Sequence, residues 1–352
     1  MNTYLIECDR LIILGGQLSS KKFGGVRSFS LILLGQAKRL NPGIKIIQID
    51  NLSALFTELI VAHLGKFTAR SSAPLKIFVI GNLLWSLFVP FFPRRYNRSI
   101  YLHGFGVGFR NPFEFFKAIL VDVITSFAVY AAGRNVRINA NSTLTAAHFQ
   151  GYSPGLINVV PIPPFIPSVA TKSNNPPSKF QFIYIGRLVP QKNVELLVRS
   201  FANALGNPQF SNLVSGLLIV GDGPEKSKLN ELLTFLPYSV SSRVFIKGCL
   251  QSQAVSEAMH QSTHFVSLNT VEPYGITFVE ALQSGLHVIS SPYCGALEQT
   301  SPGNITLIKD MTVNAVSEAL MTSISSPYLR NRAQSTISSR ANNMFTDIFS
   351  SY

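Results

Sequence analysis

The segment richest in groups that could do chemistry is Asn269–Glu280, with the sequence NTVEPYGITFVE. It follows an apolar run typical of a strand and leads into a helical pattern, and Pro273 and Gly275 make the turn between them tight. The open backbone N–H groups at such a helix start are suited to binding phosphate. The carboxylate of Glu272 or Glu280 can accept two hydroxyl hydrogen bonds at once, as a sugar or ribose diol requires. The alternative is an ordinary turn flanked by two solvated glutamates.

Two cations follow an earlier strand pattern, in the segment Tyr184–Lys192 (YIGRLVPQK). At the carboxyl end of a strand, Arg187 as a planar fork and Lys192 as a point charge can clamp a diphosphate. Solvated surface cations are the alternative. A third segment, Val220–Pro224 (VGDGP), predicts a sharp turn from strand to helix, whose role could be purely structural.

Short apolar runs alternate with helical patterns along the chain, which predicts an α/β fold with parallel sheets. Predicted strands lie at 11–14, 44–50, 75–81, 99–103, 136–140, 180–185, 217–221, 244–247, 264–268 and 287–290, and predicted helices at 26–40, 53–64, 112–132, 193–204 and 225–234. Two doubly wound, Rossmann-like domains would face each other across a central cleft, with the ligand at the carboxyl ends of the strands.

A proline-rich stretch without periodicity divides the chain and predicts an interdomain linker at 166–178. We expect an acceptor-binding domain at 1–165, a nucleotide-sugar-binding domain at 179–325 and a final helix at 326–352 that crosses back to the first domain. The assignment of ligands to these domains comes from the family resemblance described below.

The composition excludes a largely disordered chain, because 46% of the 352 residues are hydrophobic and only 13% are charged. The net charge of +13 is unevenly distributed: residues 1–170 carry 17 basic and 6 acidic side chains, while the remainder carry 13 and 11. The first half therefore predicts an anionic partner, such as a membrane surface, a phosphorylated substrate or nucleic acid. Three distant cysteines and a start without the basic residues of a signal peptide favour the reducing cytoplasm.

Residues 85–116 contain 11 aromatic side chains, and arginines and a lysine lie among or beside them: Arg94, Arg95, Arg98, Arg110 and Lys117. This pattern favours an anionic membrane surface, where aromatic rings sit at headgroup level. Binding of single-stranded nucleic acid is the alternative, which we do not expect. The apolar windows 78–93 and 118–132 fall short of the roughly 20 clean residues of a span. They predict a buried strand and a buried helix, with partial membrane insertion as the alternative.

The three chemical segments, in this order, resemble the second half of retaining nucleotide-sugar glycosyltransferases of family 4 (glycosyl transferases group 1), which have the GT-B fold. The resemblance rests on G-R-x4-K ending at Lys192, G-D-G-P ending at Pro224, a V-x-x-x-G strand at 244–248 and E-x7-E from Glu272 to Glu280. It covers about 120 residues. Before the linker, where the family commonly has Asn-Gly-Val-Asp, this chain has PIPP at 161–164.

The resemblance implies roles for the C-terminal residues. Arg187 and Lys192 would hold the donor diphosphate, Glu280 would bind the ribose, and Glu272 would lie beside the transferred sugar. The backbone amides of Tyr274, Gly275, Ile276 and Thr277 would meet sugar and phosphate.

The N-terminal resemblance is weaker. Gly24 and Gly25 look like the family's glycine-rich loop near the donor phosphate. His103 resembles a histidine that faces donor sugar and acceptor, so Glu272 and His103 are the candidates for a role in catalysis.

The resemblance, with the charge and aromatic pattern of the first half, implies a retaining transferase that moves a sugar from a nucleotide sugar to a lipid-linked saccharide in bacterial surface polysaccharide synthesis. It would be cytoplasmic and peripheral to the inner face of the cell membrane. No Asp-x-Asp occurs in the sequence, so we expect no metal or other cofactor, and fixed cations and amides would stabilise the leaving diphosphate instead. A sugar-nucleotide epimerase or phosphorylase on the same fold is the enzymatic alternative, and a basic nucleic-acid-binding protein the other.

Overall fold

The computed structural model describes residues 10–15, 34–35, 38, 43, 45–49, 76–80, 88–92, 97–105, 112–133, 136–161, 179–299 and 304–325. The chain forms two compact units whose main boundary lies between Pro163 and Pro164. The predicted helix at 53–64, most of that at 26–40, the linker at 166–178 and the final helix at 326–352 lie outside the described residues.

The first unit contains a sheet of six parallel strands in the order β2-β1-β3-β4-β5-β6. The strands are β1 (Arg10–Gly15), β2 (Lys45–Ile49), β3 (Lys76–Ile80), β4 (Asn97–Leu102), β5 (Arg137–Ala140) and β6 (Asn158–Val159). Its described helices are α1 (Pro112–Ala132) and α2 (Thr143–Gln150), together with a 3-10 turn at Val89–Phe91. α2 starts where the Ser142 hydroxyl accepts the N–H of Thr145, which satisfies one open donor of the first turn.

The second unit contains six parallel strands in the order β12-β11-β10-β7-β8-β9. They are β7 (Phe180–Ile185), β8 (Val214–Val220), β9 (Val244–Lys247), β10 (His264–Ser267), β11 (His287–Ser290) and β12 (Ile305–Leu307). The helices are α3 (Val194–Leu205), α4 (Pro208–Leu213), α5 (Lys226–Thr234), α6 (Tyr238–Ser241), α7 (Ser252–Gln261), α8 (Ile276–Gln283) and α9 (Val313–Ser323). Short 3-10 turns lie at Pro190–Lys192 and Gly295–Gln299.

The strand order of the second unit determines where the candidate site residues lie. The chain winds outward from β7 to β9 on one side and then from β10 to β12 on the other, so β7 and β10 are neighbours at the point where the winding reverses. Ligands of doubly wound sheets bind at the carboxyl ends of the strands at such a reversal, because the two loops there diverge and leave a crevice. Arg187 and Lys192 follow β7, and Glu272 follows β10.

The structure confirms each predicted strand, with boundaries shifted by at most three residues at β8. β6 and β12 were not predicted, because two or three residues are too few to show a strand pattern. The apolar window 78–93 begins in β3, as predicted.

The VGDGP segment joins two loops by close backbone contact. Gly221 and Gly223 have φ values of +146° and +156°. A Cβ atom on Gly221 would lie 1.8 Å from the carbonyl oxygen of Gly186, and one on Gly223 would lie 2.4 Å from that of Leu188. The N–H of Leu188 donates to the carbonyl of Asp222 at 2.9 Å. Glycine is therefore required here to let the loop after β8 support the loop that carries Arg187.

We predict that Gly221→Ala destabilises the protein by at least about 2 kcal/mol, because the new methyl group would overlap the carbonyl of Gly186. Urea unfolding measures the change. Gly248→Ala is a matched control, since its Cβ would find only side-chain atoms at 3.7 and 3.9 Å. Equal stability of the two variants would contradict the assignment.

Candidate functional site

A partly buried ion pair lies at the reversal point between β7 and β10. Lys192 Nζ lies 2.5 Å from Glu272 Oε2, with side chains 19% and 21% exposed. Asn269 Nδ2 donates to the same carboxylate oxygen at 2.8 Å. The structure thus brings Lys192, expected at the donor diphosphate, into contact with Glu272, expected beside the transferred sugar.

Two hydrogen bonds to backbone carbonyls hold the two loops of this pair in place. The N–H of Thr270 donates to the carbonyl of Gln191 at 3.2 Å, and Asn193 Nδ2 donates to the carbonyl of Leu268 at 2.8 Å. Asn193 has a φ of +50°, a left-handed conformation that asparagine adopts more readily than most residues. The loops after β7 and β10 therefore form one cross-linked edge.

A third loop, after β11, braces the backbone of Glu272. The N–H of Glu272 donates to the carbonyl of Tyr293 at 2.8 Å, and the N–H of Gly295 donates to the carbonyl of Glu272 at 2.9 Å. The Cys294 thiol, 3.1 Å from the carbonyl of Tyr274, is buried. Burial raises the pKa of this thiol to about 12, so Cys294 remains protonated and acts as a structural contact.

Gly275 shapes the start of α8. Its φ is +93°, and a Cβ atom there would lie 2.8 Å from Cys294 Sγ and 3.2 Å from Glu272 Cγ. None of the described side chains caps the helix, and the first bond of its ladder runs from the N–H of Val279 to the carbonyl of Gly275. The N–H groups of Ile276 and Thr277 thus have no acceptor within the helix, the arrangement that suits an anion. Tyr274 is buried just before this turn.

Glu280 lies one turn into α8 and is partly buried. At a separation of four residues it shares a helix face with Ile276 at the open N-terminus. Burial raises the pKa of the Glu280 carboxyl to about 8, so it carries a proton near neutral pH.

Arg187 is exposed at the end of β7, and no described acidic side chain forms an ion pair with it. Its backbone is anchored by the buried Tyr184, whose hydroxyl donates to the carbonyl of Arg187 at 2.9 Å. This contact holds the loop while leaving the guanidinium in solvent.

His103 belongs to the first unit and follows β4. Its ring lies edge-on to Tyr101 with centroids 5.0 Å apart, and Asn141 Nδ2 donates to its carbonyl at 2.6 Å. Burial lowers the pKa of His103 to about 3, so its imidazole is neutral at pH 7. Gly24 and Gly25 lie outside the described residues.

The aromatic and basic stretch at 85–116 is only partly a surface feature. Arg98 is buried, and its Nη1 donates to the carbonyl of Phe92 at 3.2 Å. Phe92 and Tyr101 are also buried, whereas Phe91 is exposed. The expectation that Arg98 meets an anionic surface is therefore wrong, because this guanidinium satisfies a backbone carbonyl inside the unit. Among the helices described here, none is long and apolar enough to cross a bilayer.

Sequence reasoning missed three residues that build the site. Asn269 holds the Glu272 carboxylate, Cys294 packs against Gly275, and Tyr184 anchors the loop of Arg187. The position of Asn269, directly at the end of β10, was a usable signal. The other two contacts depend on tertiary packing.

Comparison with known proteins shows that the second half of the chain is similar to a family of transferases. Residues 167–340, just short of half the chain, match Glycosyl transferases group 1. The phosphatidylinositol N-acetylglucosaminyltransferase GPI3 subunit of Saccharomyces cerevisiae is 23% identical over 167 residues, which cover 46% of this chain and 35% of that protein. Matches to the first curated relatives span between 21% and 46% of those proteins' lengths.

Solved structures resemble the chain over nearly its whole length. Anabaena Alr3699/HepE in complex with UDP-glucose has a TM-score of 0.62 at 20% identity, covering 97% of this chain and 95% of that one. WaaG, a glycosyltransferase involved in lipopolysaccharide biosynthesis, has a TM-score of 0.61 at 14% identity, covering 97% and 96%. The chain therefore has the GT-B fold, with two Rossmann-like domains.

The raised pKa of Glu280 predicts a pH-dependent stability. Between about pH 4.5 and 8 the folded protein binds a proton at Glu280 that the unfolded chain releases, so this group lowers stability as pH rises. Glu280→Gln keeps the shape of the neutral acid, and we expect it to unfold at the same urea concentration as wild type at pH 5 but at a higher one at pH 9. The exposed Glu257, changed to Gln, should show a constant difference from wild type. Parallel pH profiles for Glu280→Gln and wild type would contradict the prediction.

Proposed function

We propose that this protein is a retaining, metal-independent glycosyltransferase that moves a sugar from a nucleotide sugar to a lipid-linked saccharide in bacterial surface polysaccharide synthesis. The observation that carries the proposal is the arrangement at the carboxyl ends of β7 and β10. Lys192 meets Glu272 there, Arg187 follows the same strand, and the uncapped start of α8, which carries Glu280 one turn in, follows the loop of Glu272. All of these residues lie in the part of the chain that matches Glycosyl transferases group 1.

In the proposed complex the donor diphosphate binds Arg187, Lys192 and the open N–H groups of Ile276 and Thr277. The support is complementary charge: the guanidinium of Arg187 is free of described acidic partners, and the helix start offers backbone donors. Lys192 is different because it already contacts Glu272. A diphosphate would have to share or exchange this ammonium group, which would leave the Glu272 carboxylate available to position a sugar hydroxyl.

Glu280 binds the ribose diol in this proposal. A carboxylate accepts both hydroxyls more strongly than a neutral acid does, because charge-assisted hydrogen bonds are the stronger ones. The free protein holds a proton on Glu280 near neutral pH. Donor binding is therefore coupled to release of that proton.

The proposed reaction breaks the bond between the anomeric carbon and the diphosphate. Negative charge develops on the leaving phosphate, where Arg187, Lys192 and the helix amides would stabilise it. The acceptor hydroxyl attacks from the same face and passes its proton to the leaving phosphate oxygen, so the anomeric configuration is retained. His103, neutral at pH 7, would contact donor sugar and acceptor as a hydrogen-bonding group rather than as a cation.

The acceptor proposal draws on the charge and on relatives. The first 170 residues carry the net charge of +11 expected of a surface that meets anionic lipid. The yeast relative is named for action on phosphatidylinositol, and WaaG for a role in lipopolysaccharide biosynthesis. We accordingly place the protein in the cytoplasm, peripheral to the inner face of the cell membrane.

A panel of labelled nucleotide sugars, offered with a lipid extract as acceptor, tests the activity. We expect a labelled glycolipid of retained anomeric configuration and a free nucleoside diphosphate, with turnover unchanged when EDTA is added. An epimerase would instead return a nucleotide sugar, and a phosphorylase would require phosphate. If EDTA abolished turnover and a divalent ion restored it, only the metal-independent part of the proposal would be wrong.

Substitution of the site residues tests the assignment. Arg187→Ala and Glu280→Ala should each weaken donor binding by about tenfold to a hundredfold, since each removes a charge-assisted hydrogen bond to the donor. Titration calorimetry with the best donor of the panel measures the effect. Arg199→Ala and Glu257→Ala remove the same residue types on the outsides of α3 and α7 and serve as controls. Wild-type affinity in both site variants would disprove the assignment.

A further inference from the structure

The solvent side of α1 carries an unusual surface, which we call the outer face of α1. It consists of seven large apolar side chains that are between 43% and 70% exposed: Phe115, Phe116, Ile119, Leu120, Val123, Phe127 and Tyr130. Single exposed apolar residues are common on soluble proteins, but a continuous group of this size marks an interaction site.

The helical geometry makes these seven side chains one stripe. With an advance of about 100° per residue, they fall within an arc of about 140° along almost the whole helix. The opposite side holds the smaller buried residues Thr125, Ala128, Val129 and Ala132, of which Val129 and Ala132 pack in the core of the unit. A helix covering a sheet ordinarily shows polar residues outward. In α1 the larger apolar side chains point outward. The prediction that the apolar window 118–132 forms a buried helix is therefore wrong for this outward side.

No charged residue interrupts this stripe along the helix. α1 contains three charged residues, Glu114, Lys117 and Asp122, and by helical position all of them fall outside the arc. Asp122 is occupied by His148, whose Nε2 lies 3.2 Å from Oδ2. In the sequence, Arg110 and Arg134 stand two residues before and after the helix.

We propose that the outer face of α1 lies in the headgroup boundary of an anionic bilayer, parallel to the membrane plane. This deepens the proposed function, on which it rests, by naming the surface that brings the protein to its lipid-linked acceptor. An apolar helix face with flanking cations is the physical signature of an interfacial helix, because the apolar side enters the acyl boundary while the cations meet anionic headgroups.

The charge and size of the face favour a membrane over a second copy of the chain. Two copies would bring together domains that each carry a strong positive charge. A standard protein interface also takes about 20–30 residues a side, whereas this face offers seven. A bilayer needs only the apolar stripe and nearby positive charge, which the sequence supplies at Arg110 and Arg134.

Vesicle flotation tests the proposal, with phosphatidylcholine vesicles that contain or lack phosphatidylglycerol. We expect wild type to float with the anionic vesicles, and the double variant Phe116→Ser/Phe127→Ser to bind them at least about tenfold more weakly because it loses two inserted rings. The matched control is Phe235→Ser/Tyr238→Ser, which removes two even more exposed aromatic rings from the second unit and should bind as wild type does. Equal unfolding midpoints confirm that all three proteins are folded.

Three outcomes would overturn the proposal. The α1 variant could float as wild type does, or the control variant could lose vesicle binding to the same extent. Light scattering without vesicles could also find a wild-type dimer that the α1 variant converts to monomer, which would make the face a contact between copies. Donor affinity, measured on the same proteins, separates this proposal from the proposed function: an α1 variant that binds donor normally but not vesicles supports both. If the wild-type protein binds vesicles but no donor, the proposed function is wrong while the membrane proposal stands.

Discussion

The candidate site depends on one constraint of the second sheet, the adjacency of β7 and β10 where the winding reverses. Residues 80 positions apart in sequence meet there as Lys192 and Glu272. Such a partly buried pair contributes little net stability, because the cost of removing both charges from water offsets their attraction. Its value is positional: Asn269 and the two loop cross-links hold both charges at the sheet edge, where a third charged group can compete for either of them.

Glycine backbones make this edge compact enough for those contacts. Gly221 and Gly223 let the loop after β8 touch the loop after β7, and Gly275 lets the start of α8 touch Cys294. Each position combines a positive φ with a neighbour that leaves no room for a Cβ atom. The G-D-G-P pattern is therefore a structural requirement of the loop that carries Arg187.

Much of this could be predicted from the sequence, since strands of alternating α/β units give strong local patterns and the glycine turns sit at their ends. The pairing of Lys192 with Glu272 could not, because each residue alone is compatible with solvent and only strand order brings them together. For a related reason, the sequence could not predict the burial of Arg98 or the exposure of the outer face of α1. Apolar residues occur on every side of α1, so periodicity cannot tell which side faces the sheet, and packing selects the side with the small residues.

The charge of the second unit also becomes clearer at atomic detail. Near neutral pH Lys192 is balanced by Glu272, and Glu280 is neutral because burial disfavours its charged form. Arg187, at the end of β7, has no ion-pair partner among the acidic side chains that the structure describes. A bound diphosphate would bring two negative charges to this edge of the sheet. Arg187 and the positive end of the α8 dipole could meet them directly, whereas Lys192 would first have to give up its contact with Glu272. In the proposed complex, donor binding and rearrangement of the ion pair would be one event, in which the Glu272 carboxylate would change partner as the donor binds.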